Sequence, residues 1–111
     1  MSGAETLDPD DWSAMRALGH RIMDEAVDHL AGLRDRPVWQ DMPPEVRAAF
    51  AGGLPREGIG AEAAYAAMVR TVRPYPMGNI HPRFWAWYMG AGNFVGALGD
   101  FLAAIDGSNL G

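Results

Sequence analysis

The sequence predicts an all-α fold of three or four helices joined to an extended aromatic segment. Three observations lead to this prediction. Apolar residues recur every three or four positions over the first third of the chain, as on one face of a helix. Proline and glycine stand where these periodic stretches end. A dense aromatic stretch follows Pro82, which keeps the residue before it out of the helical region. The 111 residues form one helical segment, 1–111, without an internal linker.

The first and longest helix is predicted over about residues 8–35. Asp8 can cap its start, Pro9 suits the first helical position, and the acids that follow favour the positive end of the helix. Its apolar stripe runs from Trp12 to Leu33, and Pro37 stops it. A helix of that length would span roughly 40 Å, more than a compact domain of this size needs. We therefore expect it to reach across something else, either another chain or further sequence.

Four further elements are predicted after the long helix. A short helix over about 44–51 enters through proline and closes at Gly52-Gly53, and a third helix over about 61–73 has Tyr65, Met68 and either Val69 or Val72 on one face. Residues 79–89 are expected to be extended, and Asn93 can cap a last helix over about 93–105. The end, 106–111, has the composition of a loop leading onward, which predicts a truncated product.

Composition excludes several classes of function. There are 14 acidic and 9 basic residues and no basic stripe, so nucleic acid is not an expected partner. The chain has no cysteine for a thiolate or a disulfide, and no lysine for a Schiff base. Residues 1–11 lack the basic and apolar regions of a signal peptide, and the longest uncharged stretch, 84–99, is shorter than the roughly 20 residues of a membrane helix. These features predict a cytoplasmic protein without a membrane span.

The histidines and glycines do not form a recognisable catalytic or metal site. His20 and His29 lie on opposite faces of the first helix, so they cannot share a metal there. We expect His20 with Asp24, and Glu25 with His29, to form solvent-facing pairs. No serine stands in a nucleophile elbow, and the glycines from Gly90 to Gly96 lack the spacing of a dinucleotide loop. No catalytic residue, no metal ligand and no cofactor-binding residue is predicted in this chain.

The aromatic stretch from His81 to Gly90 has two interpretations. Four aromatic residues lie within five positions beside Arg83, and such rings demand burial. One interpretation is that they form core; the other is that they form the wall of a ligand pocket, in which rigid rings shape the site. Spacing alone leaves both interpretations open.

Several stretches together resemble the group II pyridoxal-phosphate (PLP) dependent decarboxylases, which act on aromatic L-amino acids, histidine or glutamate. The resemblance covers most of the chain and rests on order and spacing. The matching pieces are Arg16-Ala17-Leu18-Gly19-His20-Arg21, Asp28-His29-Leu30, Arg36-Pro37-Val38, His81-Pro82-Arg83-Phe84-Trp85-Ala86 and Leu98-Gly99-Asp100-Phe101-Leu102-Ala103-Ala104.

The resemblance implies an amino-terminal segment of a fold type I enzyme that forms a homodimer through the long first helix. It implies that Trp87, Tyr88 and Met89 bind a small amino-acid substrate, and that PLP is bound in a large domain outside this segment. PLP would act there as the electron sink for loss of the α-carboxylate. The aromatic amino-acid enzymes usually show an aromatic residue, proline and a hydroxyl residue where this chain has Tyr88, Met89 and Gly90, which leaves the substrate open.

Two alternatives of another class remain. The chain could be a stand-alone helical dimerisation or interaction module without catalysis, whose apolar faces bind a partner helix. It could also be a small binding protein whose aromatic cluster forms a cage for a cationic ligand.

Overall fold

The computed structural model describes residues 6–108, and within them the predicted all-α class is confirmed. Four α-helices occur: α1 (Trp12–Ala31), α2 (Pro44–Ala48), α3 (Ala61–Thr71) and α4 (Phe94–Asp106). A 3₁₀ turn over Leu33–Asp35 follows α1, and no strand is present in this part of the chain. The predictions for the extreme ends, the missing signal peptide and the onward loop, fall partly on residues 1–5 and 109–111, which lie outside the described residues.

Helix α1 begins at Trp12 rather than at Asp8. The N-cap is Asp11, whose carboxylate accepts hydrogen bonds from the backbone N–H groups of Ser13 at 2.8 Å and Ala14 at 3.1 Å. Asp8 is engaged locally instead, because the Thr6 hydroxyl donates to its carboxylate at 3.2 Å. The helix ends at Ala31 after 20 residues, so it spans about 30 Å rather than the 40 Å expected. Gly32 interrupts it before the 3₁₀ turn.

The core of the described chain is small and lies between α1 and α3. Leu18 on α1 is the one apolar side chain that is buried among residues 6–108. The half-buried face of α3 carries Tyr65, Met68 and Val69, which settles the choice the sequence left open, since Val72 is exposed. Within residues 6–108 no helix is long and apolar enough to span a membrane.

The sequence predicted that residues 79–89 form one extended segment, and this prediction is wrong. The backbone N–H of His81 donates to the carbonyl of Gly78 at 2.9 Å, and that of Phe84 donates to the carbonyl of His81 at 3.0 Å, so the first half is two successive turns. Gly78 has a φ of +98°, which starts the reversal, and Pro82 suits the second turn position. Only the stretch from Phe84 onward is irregular and open.

Helix α4 is capped as predicted but contacts little of the rest of the chain. The side chain of Asn93 accepts a hydrogen bond from the N–H of Gly96 at 2.8 Å, and Gly107 ends the helix in the left-handed conformation at φ +60°. Its large apolar side chains, with the exception of the half-buried Phe94 and Leu98, are exposed on more than one side: Val95, Phe101, Leu102 and Ile105.

The chain is far less compact than an independent domain of its size. Its radius of gyration is 17.5 Å, whereas about 13 Å is expected for a compact domain of 111 residues. Its accessible surface is 9576 Å², roughly 3,600 Å² more than the about 6,000 Å² expected of a folded 12.0 kDa monomer. Much of the apolar surface of the described residues is therefore exposed.

Candidate functional site

A buried polar site joins the segment after α1 to the turns before the aromatic stretch. We call it the His81 junction, formed by Arg36, Val38, Gly78, His81 and Arg83. The His81 ring is only 5% exposed. Its Nε2 lies 2.9 Å from the carbonyl oxygen of Arg36, and its Nδ1 accepts the backbone N–H of Arg83 at 3.0 Å. A carbonyl only accepts, so His81 is neutral with its proton on Nε2.

A close backbone contact tightens the same junction. A Cβ built on Gly78 would lie 2.4 Å from the carbonyl oxygen of Val38, a distance that no real side chain tolerates. Glycine is therefore required there for space as well as for its positive φ. Beside it, the amide of Gln40 donates to the carbonyl of Pro74 at 2.7 Å. Two of the stretches that carry the family resemblance, Arg36-Pro37-Val38 and His81-Pro82-Arg83, thus meet in space.

The predicted substrate-binding residues lie just beyond this junction and are exposed. Trp87 is 64% exposed, Tyr88 is fully exposed and Met89 is about half exposed. Trp87 contacts Phe84, with ring centroids 6.0 Å apart and planes inclined at 50°. The burial expected of this aromatic cluster is therefore not provided by residues 6–108, which rules out a core role within this part of the chain.

A polar cluster between α1 and α3 was not predicted. Arg21 on α1 makes two hydrogen bonds of 2.7 Å to the two carboxylate oxygens of Glu62 on α3, which raise the pKa of the guanidinium. The Tyr65 hydroxyl donates to the carboxylate of Glu25, and Arg73 lies 3.9 Å from that carboxylate. Arg73 also stands 5.8 Å over the Tyr65 ring. The cluster fixes the position of α3 on α1.

The predicted pair between Glu25 and His29 is wrong. Glu25 instead contacts Tyr65 on α3, Arg73 just after the end of α3, and Arg21 one turn earlier on α1. The Nδ1 of His29 is instead 2.8 Å from the guanidinium of Arg36, which can only donate, so His29 is an acceptor there. Burial and the charges of Arg36 and Arg73 lower the pKa of His29.

No part of residues 6–108 gathers three or more potential metal ligands. A concave region of about 590 Å³ is an open groove between the start of α1 and the start of α3. Its polar lining consists of carboxylates and the already paired Arg21. Among the residues that line this groove, no nucleophile has a general base in hydrogen-bond reach, which is the geometry that catalysis requires.

Helix α1 carries a second apolar stripe that faces away from α3. At 100° per residue, its members fall within about 60° of one another, on the side opposite to Arg21. Each is more than a third exposed in this chain; the members are Trp12, Met23, Val27 and Leu30. We call this the free stripe of α1.

Two curated proteins are similar to this chain. The aromatic-L-amino-acid decarboxylase of Bacillus atrophaeus is 30% identical over 91 residues, covering 81% of this chain and 19% of that protein. The tyrosine decarboxylase of Oryza sativa subsp. japonica is 34% identical over 109 residues, covering 88% of this chain and 18% of that protein. The chain thus spans about a fifth of the length of the curated relatives it matches.

No family model matches the chain, and no solved structure does. The similarity to two decarboxylases over most of the chain confirms the resemblance predicted from the sequence: this is a segment similar to part of a group II decarboxylase.

Proposed function

We propose that this chain is the amino-terminal dimerisation and substrate-pocket segment of a PLP-dependent amino-acid decarboxylase. The observation that carries the proposal is the roughly 3,600 Å² of surface in excess of a folded monomer of this mass. Permanent subunit interfaces bury about 2,000–5,000 Å² or more in total, about half of it on each partner, so an excess of this size on one chain fits a segment covered both by a partner subunit and by the rest of its own enzyme. The two similar proteins are both decarboxylases, which supports the reaction class.

The cofactor belongs to the rest of the parent protein in this proposal. PLP enzymes hold the cofactor through a lysine amine, and this chain has none, so its residues do not fit the group. All nine basic residues are arginine, which cannot supply a neutral amine. Catalysis by the chain alone is therefore not proposed; its contribution is to bind and to position.

The free stripe of α1 is the proposed contact between the two subunits. In a twofold symmetric dimer the same patch contributes from both chains, so a helix with one face on α3 and another apolar face unpaired is suited to it. Leu30 lies on the stripe in line with Trp12 and is 43% exposed in the single chain. Burying the part of this side chain that is still exposed stabilises the contact by roughly 0.6–1.3 kcal/mol, about two fifths of the value for a whole leucine side chain.

The dimer contact can be tested with a matched pair of charge insertions in the complete protein. Leu30→Glu places a carboxylate on the stripe twice per dimer, and we expect the dissociation constant, measured by sedimentation velocity, to rise by about a hundredfold or more. Ala17→Glu adds the same charge at an exposed position of α1 about 140° away from Leu30, and should leave the dimer intact. Equal effects of the two variants would contradict a contact through this stripe.

Trp87, Tyr88 and Met89 are proposed to face the amino-acid substrate. Their exposure in this chain leaves them free to form part of a pocket completed by the remainder of the enzyme. In the complete protein, Trp87→Ala should raise KM for the amino acid and change the preference among amino acids, while PLP absorbance per subunit stays constant. A parallel loss of PLP would contradict the pocket assignment.

A stand-alone interaction module is the second candidate, because the free stripe and the exposed α4 would serve it equally well. The complete protein distinguishes the two candidates. A decarboxylase releases an amine and CO₂ from an L-amino acid when supplied with PLP, whereas an interaction module binds a partner and releases neither.

A further inference from the structure

We propose that His81 is a positioning residue, which holds the substrate-facing segment in register by tying its start to the backbone of Arg36. This inference rests on the proposed function, since it concerns how Trp87, Tyr88 and Met89 are held. The two backbone sites joined by the imidazole lie on either side of it: one is two residues later, and the other is 45 residues earlier in the chain.

The two hydrogen bonds of His81 act differently. The bond from the Arg83 N–H to Nδ1 is local and shapes the turn at Pro82. The bond between Nε2 and the Arg36 carbonyl is long-range and fixes that turn on the segment after α1. Because the ring is buried, losing either bond would leave a backbone group without a partner in a dry environment.

The surroundings of His81 leave the junction little freedom to slide. Gly78 approaches the Val38 carbonyl so closely that not even a methyl group fits, and Gln40 binds the Pro74 carbonyl from the other side. These contacts fix the chain before His81, and the bond from the Phe84 N–H to the His81 carbonyl extends the order after it. Phe84 then contacts the ring of Trp87. A continuous path of contacts thus leads from Arg36 to the first proposed substrate residue.

Replacing His81 by asparagine or by glutamine tests its two hydrogen bonds separately. The side-chain amide of asparagine has the reach of Nδ1, so His81→Asn can keep the local turn but cannot reach Arg36. Glutamine has the reach of Nε2, so His81→Gln can keep the long-range bond at the expense of the local one. If the long-range bond positions the pocket, His81→Asn weakens substrate binding more than His81→Gln does, although asparagine is the more favourable residue in a turn.

The experiment uses the complete protein with PLP and the amino acid that it decarboxylates fastest. We expect His81→Asn to raise KM tenfold or more with kcat reduced less than threefold, and His81→Gln to raise KM by a smaller factor. Glu57→Gln, an exposed polar change in the segment between α2 and α3, is the control. Unchanged KM in His81→Asn, or a larger KM in the Gln variant, would overturn the proposal.

Hydrogen exchange followed by mass spectrometry separates this inference from the proposed function and needs no substrate. In His81→Asn, the amide of Phe84, which donates to the His81 carbonyl, should exchange at least tenfold faster than in the parent while those of 94–106 are unchanged. Unchanged exchange at Phe84 overturns the positioning role even if the protein is a decarboxylase. Faster exchange in a protein that decarboxylates no amino acid supports the positioning and refutes the proposed function.

The tautomer of His81 can be measured in the unsubstituted protein, so this test does not depend on whether a variant folds. Nitrogen-15 NMR of the ring should show His81 as the neutral tautomer protonated at Nε2, as the Arg36 carbonyl requires. A proton on Nδ1 would overturn the proposal, because the long-range bond could not then form.

Discussion

Replacing Gly78 by alanine tests the close backbone contact that anchors the aromatic stretch. The change adds one methyl group at a φ of +98°, where its Cβ would lie 2.4 Å from the Val38 carbonyl oxygen. An L-residue in left-handed backbone costs about 1–2 kcal/mol. Forcing apart two packed backbone segments costs about 1–3 kcal/mol more. We therefore expect Gly78→Ala to lower the free energy of unfolding by about 2–5 kcal/mol.

Substitutions of two other glycines separate the conformational cost from the steric cost. Gly60 has a φ of +82° and a ψ of 156°, a region that essentially only glycine adopts, but no atom lies within 4 Å of the place a Cβ would take, so Gly60→Ala reports the conformational cost alone, about 1–3 kcal/mol. Gly58 has neither a positive φ nor a neighbour, and Gly58→Ala should be neutral or stabilise the protein by up to about 1 kcal/mol. The assay is urea unfolding followed by tryptophan fluorescence. A Gly78→Ala effect no larger than that of Gly60→Ala would refute the steric argument.

Three further changes probe the helix contacts. Tyr65→Phe removes the hydroxyl that binds Glu25 and should destabilise the chain by about 1–2 kcal/mol in the same assay; no loss would mean that the contact does not hold α3 on α1. Asn93→Ala removes the cap of α4 and should reduce helicity by circular dichroism at a cost of about 1 kcal/mol. Since burial and the neighbouring arginines lower the pKa of His29, the stability it contributes is present above about pH 6.5 and is lost as pH falls through its lowered pKa. His29→Gln should flatten that loss as the pH falls below neutrality, and an unchanged profile would contradict the assignment.

Local rules predicted the helices well where their determinants are local. The apolar period gave α1 and α3, and Asn93 was identified as a cap because a side-chain oxygen three residues before a free N–H is a sufficient signal. The predicted start of α1 was wrong for a related reason. Asp8 and Asp11 are both suitable caps, and the choice of Asp11 depends on Thr6 binding Asp8, which composition does not reveal.

Contacts between distant parts of the chain could not be predicted from the sequence. Glu25 was assigned to His29 because they are one helical turn apart, but Tyr65 and Arg73 approach from the side of α3 and bind its carboxylate. The role of His81 was equally hidden, since its partner at Arg36 is 45 residues away. A histidine beside proline at the edge of an aromatic stretch was a usable hint, but nothing in one sequence identifies the carbonyl that it binds.

The aromatic residues are exposed in the structure, whereas the sequence predicts that they are buried. Their density indicated burial, yet Trp85 and Tyr88 are almost wholly exposed in this chain. Apolar rings in such numbers are costly to leave in water, at roughly 25 cal/mol per Å² of apolar surface. Residues 6–108 do not provide the burial that the density of aromatic residues predicts, and they leave the free stripe of α1 and most of α4 exposed as well.

Amine and CO₂ release by the complete protein is the most direct test of the proposed function. The protein should be purified with PLP and supplied with aromatic L-amino acids, histidine and glutamate in turn. We expect stoichiometric amine and CO₂ from at least one of them, and Leu30→Glu should lose this activity in step with the dimer. A PLP-loaded dimer that releases neither product from any of these amino acids would contradict the central claim.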